Sequence, residues 1–323
     1  MIEKKPLITH MYTADPSVHV FNGKLYIYPS HDLDLDIASN DNGDQYMMED
    51  YHAFMMEDMT KPPVDCGEIL NIKNVKWAKM QMWDCDCAEK DGKYYLYFPA
   101  RDKDGMFRFG VAVADKPEGP FIPEENYMKG SYSIDLCAFK EDDGSYYLTF
   151  GGIWGGQLDQ YRNNVWSKDN KEPEGDVPAV CPKIVKLADN MKEFAEEPKD
   201  LVIVDKDGQP LKGRDHNRRF FEASWLFKKD GKYYFTYSTG DTHLLCWSVS
   251  DKLHGPYSYG GVILTPVLGW TTHHSIVQYK NQWYLFYHDC ELSKGIDNKR
   301  NLKFCKLQFD AEGGIVPIDG SIK

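Results

Sequence analysis

The chain is short of several things, and each shortage excludes a class of function. No run of about 18 consecutive apolar residues occurs, so no helix of bilayer-spanning length is expected and a membrane role is set aside. Basic residues are outnumbered, with 38 Lys and Arg against 50 Asp and Glu and a formal net charge of −12. That balance argues against nucleic acid or an anionic membrane surface as partner, because both call for a basic face. The eight cysteines are scattered at 66, 85, 87, 137, 181, 246, 290 and 305, with no CxxC pair. A chain of 323 residues can bury a large core without disulfides. Cys137, Cys246 and Cys305 sit in strand-like runs, where a small apolar residue would serve as well. The opening MIEKKPLITHMYTADPS lacks an apolar signal-peptide core, so the expectation is a cytoplasmic protein, or a secreted or periplasmic one whose leader has been removed. Helical periodicity is nearly absent.

What is present is one hairpin, repeated. Each copy has alternating apolar residues, a turn, and then a run dense in Tyr, Phe and Leu. The copies are DPSVHVFNGKLYIYPS from Asp15, DCDCAEKDGKYYLYFPA from Asp84, DLCAFKEDDGSYYLTFGG from Asp135, EASWLFKKDGKYYFTYS from Glu222 and HHSIVQYKNQWYLFYHD from His273. Asn-Gly or Asp-Gly between β-rich runs is a strong hairpin signal; in the fifth copy the turn is expected at Asn281-Gln282. A second strand-and-turn element follows two of the hairpins, as VAVADKPEGPF (111–121) and WSVSDKLHGPY (247–257), with looser versions at 53–59 and 185–191. Three or four short strands per unit, five times over, predict an all-β five-bladed propeller. A β-sandwich would not explain the repetition. The repeats fill residues 1–323, so a single catalytic propeller domain is expected.

The first residues of the repeats are Asp15, Asp84, Asp135, Glu222 and His273. In a propeller the innermost strand of each blade lines the central channel, so equivalent strand starts gather at one end of it. An Asp at one strand start is ordinarily a turn or cap residue. Four carboxyl groups converging are costly as structure alone, because buried like charges repel and shift one another's pKa. Such a cluster points to acid/base chemistry. Glycoside hydrolysis needs that, with one carboxyl protonated and another ionised. Glu222 lies between Phe220-Phe221 and Trp225, an apolar setting suited to an acid; Asp15 lies among Thr13, Pro16 and Ser17, suited to an ionised base.

These motifs resemble glycoside hydrolase family 43, over about residues 9 to 315. T-A-D-P-S-V around Asp15 is similar to the family's general-base motif, S-I-D-L around Asp135 to that of the pKa-tuning Asp, and F-F-E-A-S-W around Glu222 to that of the general acid. T-H-H-S-I-V resembles the segment whose channel His, here His273, often lies beside a bound calcium. K-R-N-L-K-F resembles the strand carrying a sugar-binding Arg, here Arg300. The family commonly has Trp-Ala-Pro where this chain has Trp83-Asp84-Cys85, so the resemblance gives Asp84 no catalytic role. Trp83 and Trp154 are expected as platforms for a sugar face.

The resemblance implies an inverting enzyme that releases xylose or arabinose from plant-polysaccharide oligosaccharides, a β-xylosidase or α-L-arabinofuranosidase. Endo-acting arabinanase or xylanase activity is an alternative. A non-catalytic carbohydrate-binding propeller is another, although it would not need the Asp15, Asp135 and Glu222 set. A protein-interaction propeller has no long apolar segment to support it. Three other features are read as structural. The D-x-D-x-D stretch at 31–44 lacks the Gly and Glu of an EF-hand and reads as a solvated loop. Residues 168–220 read as a polar insertion shaping access. GGIWGGQL (151–158) lacks the strand-to-helix context of a phosphate loop and reads as a pocket-wall turn.

Overall fold

The computed structural model describes residues 3–270 and 273–321, so Thr272 of the late histidine motif lies outside the described residues. The fold is a five-bladed β-propeller. Blade 1 is an antiparallel sheet of β1 (Tyr12–Phe21), β2 (Lys24–Asp32), β3 (Asp50–Met56) and β4 (Val64–Asn71). Blade 2 repeats the order with β5 (Asp86–Lys90), β6 (Lys93–Arg101), β7 (Phe107–Ala114) and β8 (Ile122–Pro123). Blade 3 starts with β9 (Cys137–Lys140) and β10 (Tyr146–Phe150). After a small hairpin, β11 (Tyr161–Arg162) and β12 (Val165–Trp166), that blade is completed by β13 (Lys183–Lys186) and β14 (Lys199–Asp200). In blade 4, β16 (Glu222–Lys229), β17 (Lys232–Ser238), β18 (Leu245–Ser250) and β19 (Tyr257–Leu264) gain a parallel outer strand, β15 (Ile203–Val204). Blade 5 holds β20 (His274–Tyr279), β21 (Gln282–Asp289) and β22 (Asn301–Leu307).

The ring closes through its innermost strands: β1 touches β5, β5 touches β9, β9 touches β16, β16 touches β20, and β20 returns to β1. The N-terminal segment seals the seam from outside. Lys4 and Leu7 donate backbone hydrogen bonds to Phe304 and Leu302 of β22, each at 2.8 Å, so the start of the chain supplies the outer edge that the three-stranded blade lacks. Apolar side chains fill the wedges between blades. One cluster joins Tyr51 and Tyr28 of blade 1 to Leu96 and Phe98 of blade 2, and another joins Val18 and Phe54 of blade 1 to Phe286 and Phe304 of blade 5.

Turn chemistry accounts for the hairpins. Asn22-Gly23, Asp91-Gly92 and Asp230-Gly231 all have positive φ at both positions, as a type I′ turn demands. The fifth turn falls one residue earlier than expected, at Lys280-Asn281, with φ of 48° and 62°. A second correction concerns residues 168–220. They are not one insertion, because β13, β14 and β15 lie within them and complete blades 3 and 4.

Candidate active site

All five strand-start residues line a single cavity of about 270 Å³ at one mouth of the channel, and Trp83, Trp154 and Arg300 line it too. Local backbone geometry aims the side chains. The β1–β2 ladder slips between Ala14 and Ser17, and the β16–β17 ladder slips between Glu222 and Trp225. Asp15 and Ala223 take φ of 50° and 66° at these slips, and Asp135 takes 61° just before β9. Bulges next to active sites re-aim a side chain, and left-handed non-glycine residues persist only where surroundings hold them. Here the surroundings are the neighbouring blades.

Asp15 is held by side chains from blades 1 and 5. Arg300 donates to it from Nη1 at 3.0 Å and Ser30 from its hydroxyl at 2.7 Å, while the Asp15 backbone N–H donates to Nδ1 of His288 at 3.1 Å. Burial alone would raise its pKa. The charges of Arg300, His288 and His273 and the Ser30 hydrogen bond outweigh that and lower it to about 2. Arg300 is fixed in turn by a two-pronged contact with Asp32, Nε at 2.8 Å and Nη2 at 2.7 Å, and its guanidinium lies 4.8 Å from the Tyr46 ring centre. Besides lining the cavity, Arg300 therefore positions Asp15.

Asp84 and Asp135 link successive blades. Asp84 accepts the backbone N–H groups of Asp135 and Leu136 at 2.9 and 2.7 Å, and Asp135 accepts that of Ala223 at 2.6 Å. Each carboxyl thus satisfies an amide that the next blade's irregular strand start leaves unpaired. Burial pushes Asp84 up to about 7, against those amides and with the Asp15 charge adding to the rise. Asp135 is likewise raised, by burial and then by the charges of Asp84, Glu222 and Asp15. Both folded-state values exceed the ordinary 3.8, so the folded protein binds more protons than the unfolded chain from about pH 4 to about 7. Stability should fall as pH rises through that window. In chelator-treated protein, Asp84→Asn should flatten the fall of melting temperature with pH; parallel profiles for variant and wild type would contradict this.

His273 is buried, burial lowers its pKa, and neither ring nitrogen has a hydrogen-bond partner among the described residues. Its Nε2 lies 3.8 Å from Asp135, and donor atoms of Asp84, Asp135 and His273 all lie within 4.8 Å of one another. A neutral imidazole with two carboxyl groups fits a hydrated divalent cation, so the donor set suits the calcium that the resemblance implies.

Aromatic residues wall the cavity. Trp83 donates from its indole to the carbonyl of Tyr46 at 2.8 Å and packs on Phe107. A Cβ at position 43 would come within 2.6 Å of the Trp83 ring, and Gly43 has φ of +75°, so only glycine suits that wall. Gly43 belongs to the 31–44 stretch, which with Gln45, Tyr46 and Met48 forms one side of the cavity and is not simply a solvated loop. Trp154 lies edge-on to Phe221 and roughly parallel to Trp270.

The brace behind Trp154 was not apparent from sequence. Its indole donates to Glu172 at 2.8 Å, and Glu172 pairs at 2.5 Å with the buried Arg219. Glu172→Ala should free the indole and lower kcat/KM about tenfold, mainly through KM. A fall confined to kcat would contradict a positioning role. Ser30, Asp32 and His288, which hold Asp15 and Arg300, also went unassigned; only the S30–H31–D32 run at the end of the first hairpin could have signalled two of them.

A propeller with paired carboxyl groups and aromatic walls at its channel mouth is an architecture suited to working on carbohydrate. The sequence profile of glycosyl hydrolases family 43 matches residues 4–315. The chain belongs to that family and is a glycoside hydrolase. It is 56% identical over 319 residues to a xylosidase/arabinosidase of Bacteroides ovatus, with 98% of each chain covered. It is 57% identical to xylosidase/arabinosidase 43A of Humicola insolens, covering 96% of this chain and 98% of that one. Among solved structures it is similar to CoXyl43, a β-xylosidase/α-arabinofuranosidase from a compost microbial metagenome in complex with xylotriose, in calcium-free form. The TM-score is 0.97 at 51% identity, with 100% and 99% of the two chains covered.

Proposed function

We propose that the protein is an inverting exo-acting pentosidase, releasing xylose or arabinose from short oligosaccharides, with Asp15 as general base and Glu222 as general acid. The observation that carries this is a buried carboxylate kept ionised by Arg300 and Ser30, sharing one cavity with a second carboxyl on a different blade. Asp15 takes a proton from water as that water attacks the anomeric carbon, and Glu222 protonates the departing oxygen. Asp135 is a positioning residue. It grips the amide of Ala223, directly after Glu222, and its carboxyl lies close enough to Glu222 for the two to be electrostatically coupled.

An endo-acting enzyme needs an open groove, whereas the residues of this site wall one cavity at the channel mouth. Trp83 and Trp154 offer faces for the ring, and Arg300, which also lines the cavity, can donate to its hydroxyls. The names borne by the relatives, xylosidase and arabinosidase, support the pentose. A divalent cation at His273, Asp84 and Asp135 would offset carboxylate charge at the channel mouth.

The test is hydrolysis of aryl β-xyloside and aryl α-L-arabinofuranoside, side by side, followed by xylo-oligosaccharides. Turnover of either with stepwise loss of single pentose units is expected. Random internal cleavage of xylan or arabinan, with neither aryl pentoside hydrolysed, would point instead to the endo-acting reading.

A further inference from the structure

Away from the cavity, blade 1 gathers three imidazoles and two carboxylates where the N-terminal segment crosses it. The β2–β3 register pairs Ser30 with Tyr51, which sets His31 beside Asp50; His52 follows on the same face of β3. Nδ1 of His31 lies 2.6 Å from Asp50, and the His31 and His52 rings meet edge-to-face at 5.8 Å. Donor atoms of His31, Asp50 and His52 all lie within 4.8 Å of one another. Asp65 backs the group, 3.3 Å from Nδ1 of His52 and 2.9 Å from Nε2 of His10. Among the described residues, neither Asp50 nor Asp65 has a lysine or arginine within ion-pair distance; their ionic partners are imidazoles only.

We propose that His31, Asp50 and His52 form a site for a zinc-class transition-metal ion, separate from the channel set at His273. Two imidazole nitrogens and one carboxylate are a donor set that zinc accepts, whereas calcium prefers oxygen alone. Ligand atoms ~2.0–2.2 Å from a tetrahedral ion lie about 3.4 Å apart, so small side-chain rotations close this group around one, with water in the fourth position. The side chains retain between 16 and 19% exposure, which leaves an entry path. Asp65 then acts as the outer carboxylate that orients a ligating histidine. It also holds His10, which lies between Leu7, bonded to β22, and Thr13, whose N–H donates to the Arg300 carbonyl. A metal in blade 1 is therefore coupled to the segment that closes the ring, and its effect should be on stability and not on catalysis.

The test titrates metal-stripped wild type, His31→Gln, His52→Gln, Asp50→Asn and His273→Gln with zinc by calorimetry, and with cobalt(II) by visible absorption. Wild type and His273→Gln should bind zinc, give tetrahedral cobalt bands and gain several degrees in melting temperature. The three blade 1 variants should lose about 100-fold in affinity, along with the bands, while pentoside hydrolysis stays unchanged. Circular dichroism identifies any variant that misfolds, and the isosteric Asp50→Asn serves in place of an affected imidazole variant. Zinc uptake that survives in all folded blade 1 variants would overturn the proposal, as would cobalt bands that vanish only in His273→Gln. So would a wild type that takes up no zinc beyond the His273 site.

Discussion

Asp15→Asn should lose at least about 1,000-fold in kcat on every substrate, whatever the leaving group, at the upper part of the range for removal of a general base. The amide is nearly isosteric with the carboxylate: its oxygen can still accept from Arg300 while its NH2 donates to the Ser30 hydroxyl, in place of the two carboxylate oxygens that accept from them at 3.0 and 2.7 Å. The fold and the sugar pocket should therefore survive. What disappears is a group able to take a proton from water, and attack by water is needed however easily the other bond breaks. The factor corresponds to about 4 kcal/mol of transition-state stabilisation. KM should change little. A variant that retained about a tenth of wild-type turnover would remove Asp15 from the base role and shift attention to another carboxyl of the cavity.

Glu222→Gln should behave differently, and the contrast is diagnostic. A natural sugar leaving group departs as a poor alkoxide unless protonated, so oligosaccharide hydrolysis should fall by roughly 100- to 10,000-fold. An aryl glycoside with an acidic phenol needs little protonation and should lose less than about tenfold. The measurement is a series of aryl xylosides graded by phenol acidity, in which the variant's rates should depend far more steeply on leaving group than those of wild type. Equal losses across the series would mean that Glu222 does something other than deliver a proton. Asp135→Asn is a useful companion. It keeps an acceptor for the Ala223 amide but removes the ionisable carboxyl coupled to Glu222, so it should impair the poor leaving groups first.

Much of this was legible because the propeller repeats its own grammar. Asp-Gly and Asn-Gly turns are readable because a type I′ hairpin demands positive φ, and Asn22-Gly23, Asp91-Gly92 and Asp230-Gly231 all supply it. Strand starts at equivalent places in equivalent units were bound to meet, and Asp15, Asp84, Asp135, Glu222 and His273 do line one cavity. The strands β13 to β15 were harder to read. They are two to four residues long, β13 reaches back past a separate hairpin to β10, and β15 pairs with the distant β19, so no turn or alternation announces them. The partners of Asp15 were hidden for another reason. Arg300 and His288 reach it only once blade 5 has closed against blade 1, across 285 and 273 residues of chain. Asp84 looked like a departure from the family's motif, and its reason appears only in three dimensions, where it accepts the two amides that open blade 3.

The central claim is that water, activated by Asp15, attacks the face of the sugar opposite the bond that Glu222 helps to break. Proton NMR of the sugar released in the first seconds of hydrolysis of a β-xyloside tests it most directly, before the anomers equilibrate. The account predicts α-xylose as the first product, the configuration inverted. First-formed β-xylose would mean a covalent intermediate on a carboxylate nucleophile, and would contradict the assignment of Asp15 as a base acting through water.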